Sequence, residues 1–214
     1  MIKSLARTAL DEAKNMGASV EEIYLLDYDV EYCRGCMSCL KTEGCILDDD
    51  LNLIRDKIME SDGVILSSPT YALAPNAIMM NFLQRFGLWA VYRSALGTKY
   101  IASIASVGAI GAKKAAKYML SGMDGLFIKT RKVGRVISKE GTLEKNKSKA
   151  RRLAQKMVQA IVKEKRYRFQ NILTKLLTKL VIERLMKKNL RENKDGFMKG
   201  VYEYVVEKEI IKLI

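Results

Sequence analysis

The chain has 214 residues, a net charge of +14, 49% hydrophobic and 29% charged residues, which fits one buried core with an appendage and argues against a disordered or fibrous protein. No run of about 18 apolar residues predicts a membrane-spanning helix, and the first residues do not read as a secretory signal, so a cytoplasmic location is expected. The absence of histidine excludes Ser-His-Asp and Cys-His catalysis and every histidine-ligated metal site.

In chain order, Ile2, Leu5, Ala6, Ala9, Leu10, Ala13 and Met16 recur at helical spacing, and Gly17 stops the helix. Val20–Leu26 reads as a short β-rich segment, and Cys33–Cys45 as a loop. Asp48, Asp49 and Asp50 precede a helix carrying Leu51, Ile54 and Ile58, where carboxylates suit the free N–H groups. Val64–Leu66 and its neighbours predict a strand buried on both faces and ended by Pro69. A helix is predicted from about Asn76 to Ala90, a buried strand over Lys99–Ser106, a glycine turn at Gly108–Gly111 and a helix to Leu120. Val133–Ile137 is the last predicted strand and Leu143–Lys163 the last helix of the domain. This alternation predicts a parallel sheet with helices on both faces.

Charge divides the chain further. Residues 1–128 hold 13 Lys/Arg against 15 Asp/Glu, whereas residues 129–200 hold 23 against 6. The positive excess is therefore confined to the C-terminal third. Beyond Lys163 the sequence predicts a basic helical extension with a turn near Asn193–Gly196. Its apolar stripe, Phe169, Ile172, Leu173, Leu176, Leu177, Leu180 and Val181, is expected to pack on protein. Contact with an anionic membrane surface is the less favoured alternative. Aromatic residues are sparse in the basic segment, so nucleic-acid binding is not expected.

All four cysteines fall within thirteen residues, as Cys33-x-x-Cys36-x-x-Cys39-x5-Cys45. A disulfide framework is disfavoured in a reducing compartment. A zinc site commonly uses two separated C-x-x-C knuckles, whereas compact steps of three suit adjacent thiolates around a [4Fe–4S] cluster. Metal binding is favoured over unliganded cysteines, and iron–sulfur over zinc.

The segment Tyr32-Cys33-Arg34-Gly35-Cys36-Met37-Ser38-Cys39, followed by Gly44-Cys45-Ile46-Leu47-Asp48-Asp49, resembles the cysteine segment of iron–sulfur flavoproteins. These are flavodoxin-fold members of the NAD(P)H-dependent FMN reductase superfamily. Ser68-Pro69-Thr70-Tyr71 resembles the family's S-P-x-Y strand end. Met80-Asn81-Phe82-Leu83-Gln84-Arg85 resembles its K-x-F-(I/L)-D-R helix, with Met80 in place of Lys and Gln84 in place of Asp. The likeness covers residues 1–163, expected to be a flavodoxin-like three-layer α/β sandwich; residues 164–214 form the extension.

The resemblance implies FMN held by Pro69, Thr70, Tyr71, Ala72 and Leu73 on one side and by Ser106, Val107 and Gly108 on the other. It also implies a [4Fe–4S] cluster on Cys33, Cys36, Cys39 and Cys45, with electrons from NAD(P)H or a ferredoxin-like donor passing between flavin and cluster. No side-chain acid or base is required, so no catalytic residue is assigned. A homo-oligomer is expected, with an interface covering Leu88, Trp89 and Tyr92. The alternative is a flavodoxin-fold module that binds a metal or partner and has lost FMN. The family's first strand and its G-S-P-R-x-x-G-N-T phosphate loop have no counterpart here. The expectation is a chain shortened by roughly 20–25 residues at its N-terminus, holding FMN weakly.

Overall fold

The computed structural model describes residues 1–167, 170, 172, 176, 180–181 and 183–211. Among these, four strands form the sheet: β1 (Gly63–Tyr71), β2 (Ala74–Pro75), β3 (Tyr100–Val107) and β4 (Arg131–Lys139), in the order β2–β1–β3–β4. β1 and β3 run parallel from Gly63 opposite Tyr100 to Pro69 opposite Ser106. β3 and β4 are also parallel, and Val133 is the extra residue of a bulge between the pairs Ile101–Lys132 and Ala102–Gly134. β2 folds back against the end of β1 in a two-residue antiparallel return.

Period-two alternation along β3, which is buried throughout, divides the core. Ile101, Ala105 and Val107 face α3 (Leu51–Glu60), α4 (Ala77–Arg93) and α5 (Ala112–Ser121). Tyr100, Ala102 and Ile104 face α1 (Ile2–Asn15) and α6 (Leu143–Val162). The 3.6-residue period of α1 brings Leu5, Ala9 and Ala13 onto Ala150, Leu153, Ala154 and Met157 of α6. Three layers result, as the sequence predicts.

Two strand expectations are corrected. Residues 18–24 have no regular secondary structure and join no ladder, and a single 3-10 turn at Leu25–Asp27 follows. A strand needs a neighbour for its N–H and C=O groups, and no strand among the described residues pairs with this segment. Side-chain packing holds it instead, with Val20 on the α1/α6 side and Ile23 and Leu25 on the α3/α4 side. β1 is correspondingly an edge strand, paired with β3 alone until β2 meets Thr70, and mostly half-buried. Pro69 therefore lies inside β1, where an edge strand tolerates the missing N–H.

Among its described residues the extension carries two helices, α7 (Glu183–Glu192) and α8 (Lys199–Glu207), on either side of the turn near Asn193–Gly196. The described part of its predicted stripe does not pack on protein. Ile172, Leu176, Leu180 and Val181 are exposed, and Phe169, Leu173 and Leu177 lie outside the described residues. The fold-back at the turn instead buries Leu190, Met198, Val201 and Val205, which cluster with Leu40 and Ile211. Leu88 and Tyr92 pack against the same cluster, and Tyr204 of α8 meets Trp89 edge-on at 6.1 Å. The face expected to be covered by a second copy is covered by the chain's own C-terminus.

Candidate functional site

α4 starts at Asn76, whose side chain accepts a hydrogen bond from the Met79 N–H at 3.1 Å. Further along, Asn81, Arg85, Trp89 and Arg93 recur every four residues, which places them on one helix face. Each binds the cysteine segment. Asn81 donates to the carbonyls of Val30 and Glu31 and accepts from the Cys33 N–H at 3.2 Å. Arg85 donates to the Glu31 carbonyl, to the Asp49 carboxylate and to Cys45 Sγ, the last at 3.0 Å. Trp89 Nε1 donates to the Glu43 carbonyl at 2.6 Å. Arg93 donates to the carbonyls of Cys39 at 2.8 Å and Thr42 at 2.7 Å. At 1.5 Å per residue, this ladder spans about 18 Å, and it fixes the segment from Cys33 to Cys45.

The segment is not wholly a loop. Met37, in the left-handed region at φ 57°, starts the short helix α2 (Ser38–Lys41), which carries Cys39. All four cysteines are free thiols and line one shallow concavity with Leu47, Arg85 and Leu88. Among the described residues, no group of three or more His, Cys, Asp or Glu side chains is arranged to hold a metal ion. The sequence-predicted ligands are thus brought together around a shared hollow without forming a ready ion cage. The hollow fits a group held by thiolates: Arg85 already donates to one sulfur, and its Nε is a buried donor with no partner among the described residues.

Electrostatics differ along the segment. Hydrogen bonds from the Ser38 hydroxyl and amide lower the pKa of the exposed Cys36. Burial, followed by the neighbouring Cys45, pushes Cys39 up to about 11. For Asp49, burial opposes ionisation, but hydrogen bonds from Arg85 and from the amides of Leu51 and Glu31 outweigh it and hold the carboxyl below its usual range. Asp49, not the N-cap residue Asp50, thus supplies the side-chain bond to the start of α3.

The flavin residues implied by the resemblance lie at the carboxyl edge of the sheet. Ala72 and Leu73 are both in the left-handed region, at φ 47° and 64°, a conformation that costs on the order of 1 kcal/mol or more per residue and clusters at ligand loops. Thr70 Oγ1 is buried without a partner among the described residues, while Tyr71 is 66% exposed. Across from them, Ser106 and Val107 are buried and Gly108 is exposed. Gly111 joins the two loops: at φ +102°, a Cβ there would stand 2.8 Å from Leu73 Cδ2 and 3.0 Å from Leu73 Cα. Of the two glycines in this turn, only Gly111 has a positive φ. The first turn of α1 reaches the same edge, where Ser138 Oγ donates to Met1 Sδ at 3.7 Å. A cradle with an orphan hydroxyl fits the polar rim of a flavin.

A parallel sheet between two helical layers, with paired loops at its carboxyl edge, defines a flavodoxin-like α/β protein. Solved structures agree on that fold. A flavone reductase superposes with a TM-score of 0.58 at 17% identity, covering 78% of this chain and 61% of its own. RosB with a bound 8-demethyl-8-formylriboflavin-5'-phosphate intermediate gives a TM-score of 0.61 at 13% identity, covering 91% and 81%. The chain belongs to the NADPH-dependent FMN reductase family, which matches residues 2–142. An iron–sulfur flavoprotein of Archaeoglobus fulgidus is 36% identical over 112 residues, 52% of this chain and 50% of that protein. One from Methanosarcina thermophila is 32% identical over 63 residues, 29% of this chain and 33% of that protein. The chain thus matches half or less of the length of these relatives.

Proposed function

We propose that the chain is an FMN-dependent oxidoreductase that passes electrons between flavin and a [4Fe–4S] cluster. The observation that carries this reading is the α4 ladder, which anchors the segment bearing the four free cysteines around one hollow, on the helix that leads directly out of the flavin loop. Asn81, which holds Cys33, lies about 8 Å of helix rise beyond Asn76. The names of the iron–sulfur flavoprotein relatives support the same assignment.

In this reading Pro69, Thr70, Tyr71, Ala72 and Leu73 hold one edge of FMN, and Ser106, Val107 and Gly108 the other. Thr70 Oγ1 binds a polar ring atom, and Tyr71 covers the ring from solvent. The amides in the first turn of α1 are suited to the phosphate. Cys33, Cys36, Cys39 and Cys45 ligate the cluster. FMN, when bound, supplies the conversion between two-electron and one-electron transfer. The protein's part is to place the two groups, exclude water with the buried α4 face and stabilise thiolates through Arg85. The donor is NAD(P)H or a ferredoxin-like protein, and the working form is a homo-oligomer. Among the described residues no helix is long and apolar enough to cross a membrane.

The test is the absorbance spectrum and the iron and acid-labile sulfide content of anaerobically purified and reconstituted protein. Flavin absorbance near ~450 nm with a broad, dithionite-bleached shoulder is expected. Protein that takes up neither flavin nor iron would sink the proposal.

A further inference from the structure

The two arginines behind the cysteine segment are unequally paired. Arg85 has a carboxylate partner in Asp49, and both side chains are out of solvent. Arg93 is also fully buried, yet its guanidinium donates only to the neutral carbonyls of Cys39 and Thr42. No Asp or Glu of the described residues pairs with it. Aromatic rings enclose it instead, Trp89 at 5.4 Å and Tyr204 at 6.0 Å. Tyr204 comes from α8. One turn earlier in that helix, Gly200 approaches so closely that a Cβ would stand 2.7 Å from the carbonyl oxygens of Lys41 and Thr42 and 2.8 Å from Arg93 Nη2. The C-terminal extension is therefore fitted against the back of the cysteine segment, with the arginine sealed between.

A guanidinium stays protonated in proteins, and burying it without an opposite charge is costly. Ring faces and carbonyl dipoles offset only part of that cost. The missing negative charge belongs on the other side of the backbone that Arg93 binds. A [4Fe–4S] core with four thiolates carries about −2, and about −3 once it has taken one electron. We propose that Arg93, caged by Trp89 and α8, is the built-in counter-charge of the four-cysteine centre. The inference rests on the iron–sulfur reading and makes α8 part of that centre. Arg93 is a positioning residue in this scheme, since it reaches the cluster through charge and through the Cys39 carbonyl.

The experiment compares wild type with Arg93→Met, which keeps an apolar stem and removes the charge. Both are measured as the full chain, loaded with iron and sulfide and then emptied by chelation. Two readouts apply: thermal midpoint in each state, and cluster midpoint potential in a dithionite titration, in which the reductant gives one electron per cluster. Arg93→Met is expected to lower the thermal midpoint of the loaded protein more than that of the emptied protein. It is also expected to shift the cluster potential downward, because a removed positive charge no longer favours the more negative reduced form. Equal thermal losses in the two states with an unchanged potential would mean that Arg93 only props up the fold, and would overturn the proposal. If Arg93→Met retains no cluster at all, the emptied form decides: a midpoint at or above that of emptied wild type supports the counter-charge, and a lower one overturns it. Wild-type protein without iron or labile sulfide fails the iron–sulfur reading itself, before any variant is made.

Discussion

Cys36 and Cys39 lie three residues apart, and their surroundings push their thiols in opposite directions. Cys36 is exposed and hydrogen-bonded by Ser38, which favours its thiolate. Cys39 sits in α2, half-buried, with its pKa raised to about 11, so only about one part in a thousand is ionised at pH 8. In metal-free protein, iodoacetamide labelling followed by peptide mass spectrometry is expected to find Cys36 modified first and Cys39 last. Asp49 makes a second residue-scale prediction. Its pKa is lowered in the folded state, so its contribution is complete above the unfolded value of about 4 and is lost as pH falls through the folded value. Asp49→Asn leaves Arg85 buried without its carboxylate and is expected to cost about 3–5 kcal/mol in urea unfolding at pH 7. The variant should also lose part of the wild-type decline in stability below about pH 4. A full-sized acid decline in the variant would assign it to other carboxylates.

Elements defined by their own side chains were legible in the sequence, and elements defined by what they face were not. The apolar periods of α1 and β3 are intrinsic, and the structure places both within a residue or two of expectation. Val20–Leu26 has strand-forming residues, but forming a ladder depends on a neighbour that residue preferences do not encode. The α4 ladder escaped for a related reason. Asn81 and Arg85 lie inside the Met80–Arg85 motif, yet the partners of Asn81, Trp89 and Arg93 are backbone groups, which leave no trace in composition. The visible signal is three polar residues, Asn81, Arg85 and Arg93, separated by four and eight residues on a helix that is otherwise largely apolar. Gly111 carries the element-scale prediction. Its positive φ and its contact with Leu73 leave no room for a side chain. Gly111→Val is expected to push the loop after β1 away from that after β3 and weaken FMN binding by tenfold or so, about 1.4 kcal/mol, measured by fluorescence titration. Cluster content should be unchanged, because α4 anchors the cysteines independently. Unchanged FMN affinity would separate these loops from the flavin site.

At the scale of the whole molecule, the surplus of positive charge and the cysteine centre meet in the extension. Among the described residues its basic side chains are mainly solvent-facing, but Leu190, Met198, Val201 and Val205 close the face of α4 that the first 163 residues leave open. Leu40, Leu88, Trp89 and Tyr92 would become accessible without α7 and α8. Arg93 would lose Tyr204 and the covering helix backbone at Gly200. Truncation after Lys163 should therefore have two linked effects. Newly exposed apolar area of this kind promotes association, so size-exclusion chromatography should show larger species or lower solubility. The cysteine segment loses its backing, so iron retained after reconstitution and desalting should fall to well under half of the full-chain value, while the sheet-edge loops, which do not touch α8, keep whatever affinity they have for FMN. A parallel truncation after Gln170, which also removes α7 and α8, should behave the same way if these helices are responsible. Retention of full iron by both truncated proteins would show that the α4 ladder holds the cysteines unaided and that the extension serves some other surface.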